Sequence, residues 1–169
     1  MADPSGVDKA HRTFVSYIDK SREYYRAQGF GNPYRWAYFD AAPFTPLTGP
    51  VAASRLTLIT TASEIRETSA GPRPRKRVFS MSSAAPPERL YTADLEWDKE
   101  ATHTEDLDSF FPVHRLQELV RQGRIGSLAP RCHGVPTEYS QRRTTEEDAP
   151  EVLRLCREDG VDAAILVPL

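Results

Sequence analysis

Two short stretches carry the residue types from which an active site could be built. In THTEDLD, His103, Glu105, Asp106 and Asp108 set an imidazole among carboxylates within one segment. Such a group can move protons or hold a divalent metal. None of the common metal-ligand spacings is present. His103, Asp106 and Asp108 are therefore candidates for proton transfer, and no metal site is assigned. The competing use is a solvated acidic loop whose side chains cap the helix that follows. In RCHGV, Cys132 stands beside His133. A thiol next to an imidazole is a nucleophile signature only where the two side chains meet in space. Adjacent residues often point apart, and an inert thiol is the alternative. Cys156 falls on the apolar face of a helix and reads as packing. The sequence contains no GxGxxG, CxxC or GxSxG.

These groups must be held by a fold, and the apolar pattern indicates which. SRLTLITTA, Ser54 to Ala62, sets Leu56, Leu58 and Ile59 among threonines and predicts a strand. In a doubly wound sheet it is a central strand whose ligand-facing end carries Thr60 and Thr61. Together with Tyr139 they are candidate substrate contacts. FPVHRLQELVRQGRIG puts Val113, Leu116, Leu119 and Val120 on one helical face, with Pro112 near the start and Gly123 at the stop. A short strand over Ile125 to Leu128 runs into the loop expected to hold Cys132 and His133. DAPE predicts the start of the last helix, with Asp148 as N-cap and Pro150 in the first turn. Its inward face is Val152, Leu155 and Cys156, and Gly160 ends it.

The closing run, Val161 to Leu169, reads as a strand buried on both faces, the kind found inside a parallel sheet. Ligands and reactive groups gather beyond the carboxyl ends of such strands. The chain thus stops where chemistry is expected to start.

Other segments are less regular. Ala10, Phe14, Ile18 and Tyr25 predict a helix from about Asp8 to Gln28. The aromatic- and proline-rich arm after it holds Tyr34, Trp36, Tyr38 and Phe39, residues able to cage a quaternary ammonium group or simply to pack. IRETSAGPRPRKRVFSMSSAAPPERL predicts a long loop, with Arg73, Arg75, Lys76 and Arg77 solvated or facing an anionic substrate group. RLYTADLEW alternates, with Tyr91, Ala93, Leu95 and Trp97 on one side, and predicts a half-exposed strand.

Taken together, these elements predict a single α/β domain over 1–169, Rossmann-like or flavodoxin-like, with a mostly parallel sheet. A helical amino-terminal arm occupies 8–50 and the sheet-and-helix core 54–169. Hydrophobic residues at 39% and charged residues at 27% suit a soluble globular protein. A net charge of -2 and a pI near 6.1 argue against nucleic-acid or membrane partners. Two cysteines form no disulfide framework, and there is no signal-peptide core or membrane-length apolar run. A reducing, cytoplasmic location is the expectation.

The ordered set WDKEATHTEDLDSFFPVHRLQEL, GRIGSLAPRCHGVPTEYSQRRT and APEVLRLCREDGVDAAILVPL resembles the selenoprotein B family of glycine, sarcosine, betaine and D-proline reductases. PFTPLTGPVAASRLTLITTA is similar to that family's first strand and its approach. The resemblance covers most of the chain from about Pro43 onward. It implies an oxidoreductase subunit for reductive C–N cleavage of an amino-acid or betaine-type substrate. It also implies a selenocysteine or cysteine directly after Leu169, so that the 169-residue chain ends at a recoded UGA, truncated before its nucleophile and inactive in this form. No cofactor is expected within the chain itself. A pyruvoyl group on a partner reductase subunit and a thiol electron donor complete the implied chemistry, with His103 as proton donor to the leaving amine. Two other functions compete. One is an inactive homologue that binds or regulates, its terminal strand pairing with a partner; the other is a hydrolase or lyase using His103 with carboxylates, or Cys132 with His133. Uncovered apolar surface at the terminal strand also points to a homo-oligomer.

Overall fold

The structure, a computed structural model, describes residues 17–31, 39–41, 43, 45–64, 77–92, 95, 101–136 and 140–169. The chain divides into two compact units, Met1–Pro43 and Phe44–Leu169. In the first, α1 spans Tyr17–Ala27, within the predicted helix; residues 8–16 lie outside the described set. Past its end, Tyr25 meets Phe30 edge to face at 6.1 Å.

The second unit is an α/β sheet, as its alternating pattern predicts. In chain order it contains β1 (Arg55–Thr60), β2 (Phe79–Ser82), α2 (Val113–Arg121), β3 (Ser127–Leu128), β4 (Arg131–Gly134), α3 (Gln141–Arg143), α4 (Ala149–Glu158) and β5 (Ala163–Val167). β1 is central: it pairs in parallel with β3 and β4 along one edge and with β5 along the other. β2 lies outside β4 and is antiparallel to it. β3 and β4 form one line, broken at Pro130, which has no N–H for a ladder.

Lateral neighbours in a sheet share a face, because side chains alternate along each strand. Met81, Cys132, Leu58 and Ile165 form one such row, and they join the larger core with Leu116 and Val113 of α2. On the opposite face Ile59 packs with Val152 and Cys156 of α4, flanked by Val78, Val135 and Val161. The two helices therefore cover opposite faces.

Five expectations are corrected. Phe79–Ser82, read as loop, is β2, because pairing with β4 supplies the ladder that its short serine-rich sequence does not advertise. Cys132 and His133 sit on β4 rather than in a loop. The stretch around Tyr91 makes only an isolated bridge to Ser63 among the described residues, with Tyr91 exposed and both Thr92 and Leu95 buried. Asp148 is not the helix N-cap: Ser140 is, its Oγ accepting from the Arg143 N–H. The helix continues through a π-turn at Thr144–Asp148, where the Ala149 N–H bonds the Thr144 carbonyl. Pro150 follows at once; a proline inside a helix disturbs the preceding turn, and a π-turn absorbs that mismatch. Last, β5 pairs only with β1 among the described residues and is not buried on both faces: Leu166 is 71% exposed.

Two glycines mark close approaches. A Cβ on Gly126 would stand 2.6 Å from the Ala53 carbonyl carbon and 2.8 Å from Ser54 main-chain atoms. A Cβ on Gly134 would meet the Phe79 ring at 2.0 Å. A ring can swing aside and a paired backbone cannot. Chemical denaturation should therefore show Gly126→Ala losing about 2–3 kcal/mol and Gly134→Ala losing less, in the range of overpacking costs. Equal losses would contradict this ordering.

Candidate functional site

The rim is built by topology. α2 returns the chain to the start of β3, and the helix from Gln141 to Glu158 returns it to the start of β5. The amino ends of both helices therefore lie toward the carboxyl ends of the parallel strands. That end of the sheet gathers Thr60 and Thr61 after β1, Val135 and Pro136 after β4, Pro168 and Leu169 after β5, the segment before α2, and Ser140. The parallel strands lie in the order β4–β1–β5, so the strand order reverses at β1, and the β1–β5 pair is the switch point where open α/β sheets bind ligands.

At this rim the threonine hydroxyls engage main-chain amides. Thr60, fully buried, accepts from the Ala62 N–H at 3.2 Å. Thr61 accepts from the Leu169 N–H at 2.9 Å. Tyr139 lies outside the described residues, as do Tyr34, Trp36, Tyr38, Arg73, Arg75 and Lys76; Phe39 and Arg77 are exposed.

The THTEDLD segment leads into α2. Asp106 caps the 3₁₀ turn Leu107–Ser109 by accepting from the Asp108 N–H. Asp108 reaches forward: one carboxylate oxygen accepts from the His114 N–H at 3.0 Å and the other contacts His114 Nδ1 at 2.9 Å. A carboxylate on the first-turn N–H groups satisfies donors that the helix cannot, and complements its dipole. His103 is exposed, and its Nδ1 faces the Glu105 N–H at 3.4 Å. His114, the imidazole that Asp108 does engage, was not singled out by sequence. Its signal is position: it stands at the second residue of the helix that Pro112 announces. Among the described residues no group of three or more His, Cys, Asp or Glu side chains could hold a metal ion.

Cys132 and His133 do not come together. As consecutive strand residues they point to opposite faces. Cys132 is buried in the α2-side core, and burial pushes its thiol up; burial does the same to Cys156. A raised thiol disfavours the nucleophilic thiolate. His133, wholly buried on the α4 side, has Nδ1 3.0 Å from Ser80 Oγ, while its buried Nε2 has no hydrogen-bond partner among the described residues. Burial first, and then the Arg131 charge, hold its pKa below the ordinary 6.5.

The site thus belongs to an open α/β domain whose strand ends form a rim. Over 62 residues, 36% of this chain, the sequence is 36% identical to D-proline reductase subunit gamma of Acetoanaerobium sticklandii. The match covers 26% of that protein, so the chain spans about a quarter of the curated relative it matches. No family model and no solved structure matches the chain. The likeness ties part of the chain to a reductase subunit without singling out the selenoprotein B branch. Among the described residues, no helix is long and apolar enough to cross a membrane.

Two outcomes are expected. Burial holds the folded pKa of His133 below its unfolded value. The unfolded chain therefore binds more protons below about pH 6.5, and stability falls as pH drops through that region. Denaturation at stepped pH should show this slope, flattened in His133→Gln. Asp108→Ala should cost about 0.5–2 kcal/mol by loss of the α2 cap, read in the same unfolding experiment.

Proposed function

We propose that this chain contributes the strand-end rim of an oxidoreductase that cleaves a carbon–nitrogen bond reductively in an amino-acid or betaine-type substrate. The observation that carries the proposal is the partial identity to a D-proline reductase subunit. The parallel β1–β5 pair supports it, because its carboxyl end is where such a fold presents reacting groups. In the balanced reaction the C–N bond becomes a C–H and an N–H bond, the nitrogen departing from an open-chain substrate or staying tethered after ring opening, and two thiols of the electron donor become a disulfide. A selenol or thiol positioned after Leu169, with a pyruvoyl group on a partner subunit, would supply the attack on carbon and the activation of the amine.

Within this chain His103 is the candidate proton donor to the leaving amine. In the segment that follows it, Asp106 caps the 3₁₀ turn and Asp108 holds the start of α2. Tyr139 is the candidate substrate-side residue; Thr60 is fully buried and Thr61 holds the Leu169 N–H, so both support the rim from beneath, as do Cys132 and His133 on their strand.

The test uses the complex purified from its native source. Dithiol-dependent loss of D-proline by ring opening, or of glycine, sarcosine or betaine with release of ammonia or the free amine, is the expected result, and sequencing the message past the Leu169 codon should read UGA or a cysteine codon. A complex that assembles but turns over none of these substrates would overturn the enzymatic proposal. That outcome would favour a binding or regulatory subunit, a reading supported by the edge of β5 that is unpaired among the described residues.

A further inference from the structure

The ends of β1 and β5 are joined in a way that ordinary strand pairing does not require. Their ladder runs in register from Leu56 opposite Ala163 to Thr60 opposite Val167. The next residue of the β5 line is Pro168, which has no N–H, so the main-chain ladder has no donor there. The next donor is the Leu169 N–H, and it goes to a side chain: Thr61 Oγ1 at 2.9 Å. The same hydroxyl makes a longer contact, 3.4 Å, to the Leu169 main-chain oxygen. Thr60, one residue earlier, uses its buried hydroxyl to fix the Ala62 N–H and with it the turn that presents Thr61. The Leu169 side chain packs against the core that contains Phe111 and Val113.

We propose that Thr61 is a positioning residue: its hydroxyl replaces the rung that Pro168 removes, and so fixes the direction in which the main chain passes position 169 at the rim. The clamp acts on main-chain atoms only, so it holds whatever side chain position 169 carries. Its meaning for turnover rests on the proposed reductase function. A reactive group next to a fixed backbone keeps its alignment, and a displacement of about 1 Å can cost on the order of 100-fold in rate.

The experiment compares Thr61→Val, which keeps shape and loses the hydroxyl, with Thr61→Ser, which keeps the hydroxyl. Amide hydrogen exchange at residue 169 in the full chain is the first readout. Exchange should quicken about 5–10-fold in Thr61→Val, the loss of one net hydrogen bond, and return toward the original rate in Thr61→Ser. Should Thr61→Val not fold, Thr61→Ala serves in its place. Unchanged exchange overturns the clamp, whatever the protein catalyses. The second readout is turnover by the native complex, where Thr61→Val should lower kcat with KM nearly unchanged and Thr61→Ser should restore it. Faster exchange with unaltered kcat overturns the positioning role. A wild-type complex without C–N cleavage defeats the reductase proposal alone, because the exchange result still decides the clamp.

Discussion

The burial of β1 governs this structure. From Leu56 to Thr60 every residue is buried, and both edges of the strand are paired. A buried strand must satisfy every polar group it takes from water. The main chain does so through three parallel neighbours. The buried hydroxyl of Thr57 donates to the Arg131 carbonyl at 2.8 Å, and that of Thr60 accepts from Ala62. Thr57, one of the threonines that make β1 look like a strand, thus also ties β4 to it, while Thr60 fixes the turn at the strand's end.

The opposite end of the sheet is tied by charge. The Arg131 guanidinium meets Asp159 through two nitrogens, at 2.8 and 2.9 Å, and this holds the Asp159 carboxyl below its usual range. Arg55 donates to the Asp159 carbonyl at the end of α4, and its main-chain N–H goes to Asp162. A guanidinium on a terminal carbonyl meets an acceptor that the helix leaves open. The first residue of β1 therefore sets where α4 stops and where β5 begins. Because those contacts fix the start of β5, the rim contacts at its far end inherit a defined register.

Elements whose signal is local were legible in the sequence. β1, α2 and the main part of α4 declare themselves through β-branched content, a 3.6-residue stripe and helix-ending glycines. β2 and β4 do not. Phe-Ser-Met-Ser and Arg-Cys-His-Gly have little intrinsic strand character, and they are strands because each has a neighbour to pair with. The DAPE motif misled for a related reason: proline marks the first turn of many helices, but here it sits after a π-turn inside one. The apolar run of β5 was ambiguous, since periodicity alone cannot tell an edge strand from a central one. Of the candidate site, the rim location and the ends of β1 and β5 were readable. The opposed directions of Cys132 and His133, and the Asp108–His114 contact, depended on knowing which residues are strand and which are helix.

Sequence separation gives β1 a kinetic consequence. It is made early, yet its second edge waits for β5: Leu56 pairs with Ala163 across nearly the whole unit. At roughly 5–20 residues per second, a ribosome needs about 5–20 s to cover that interval. Throughout that time the strand that ends up most fully buried has at least one unpaired flank. Contacts this distant along the chain also slow folding after release. The unit is therefore a natural client for chaperones during synthesis, and its yield should depend on how long β1 is shielded.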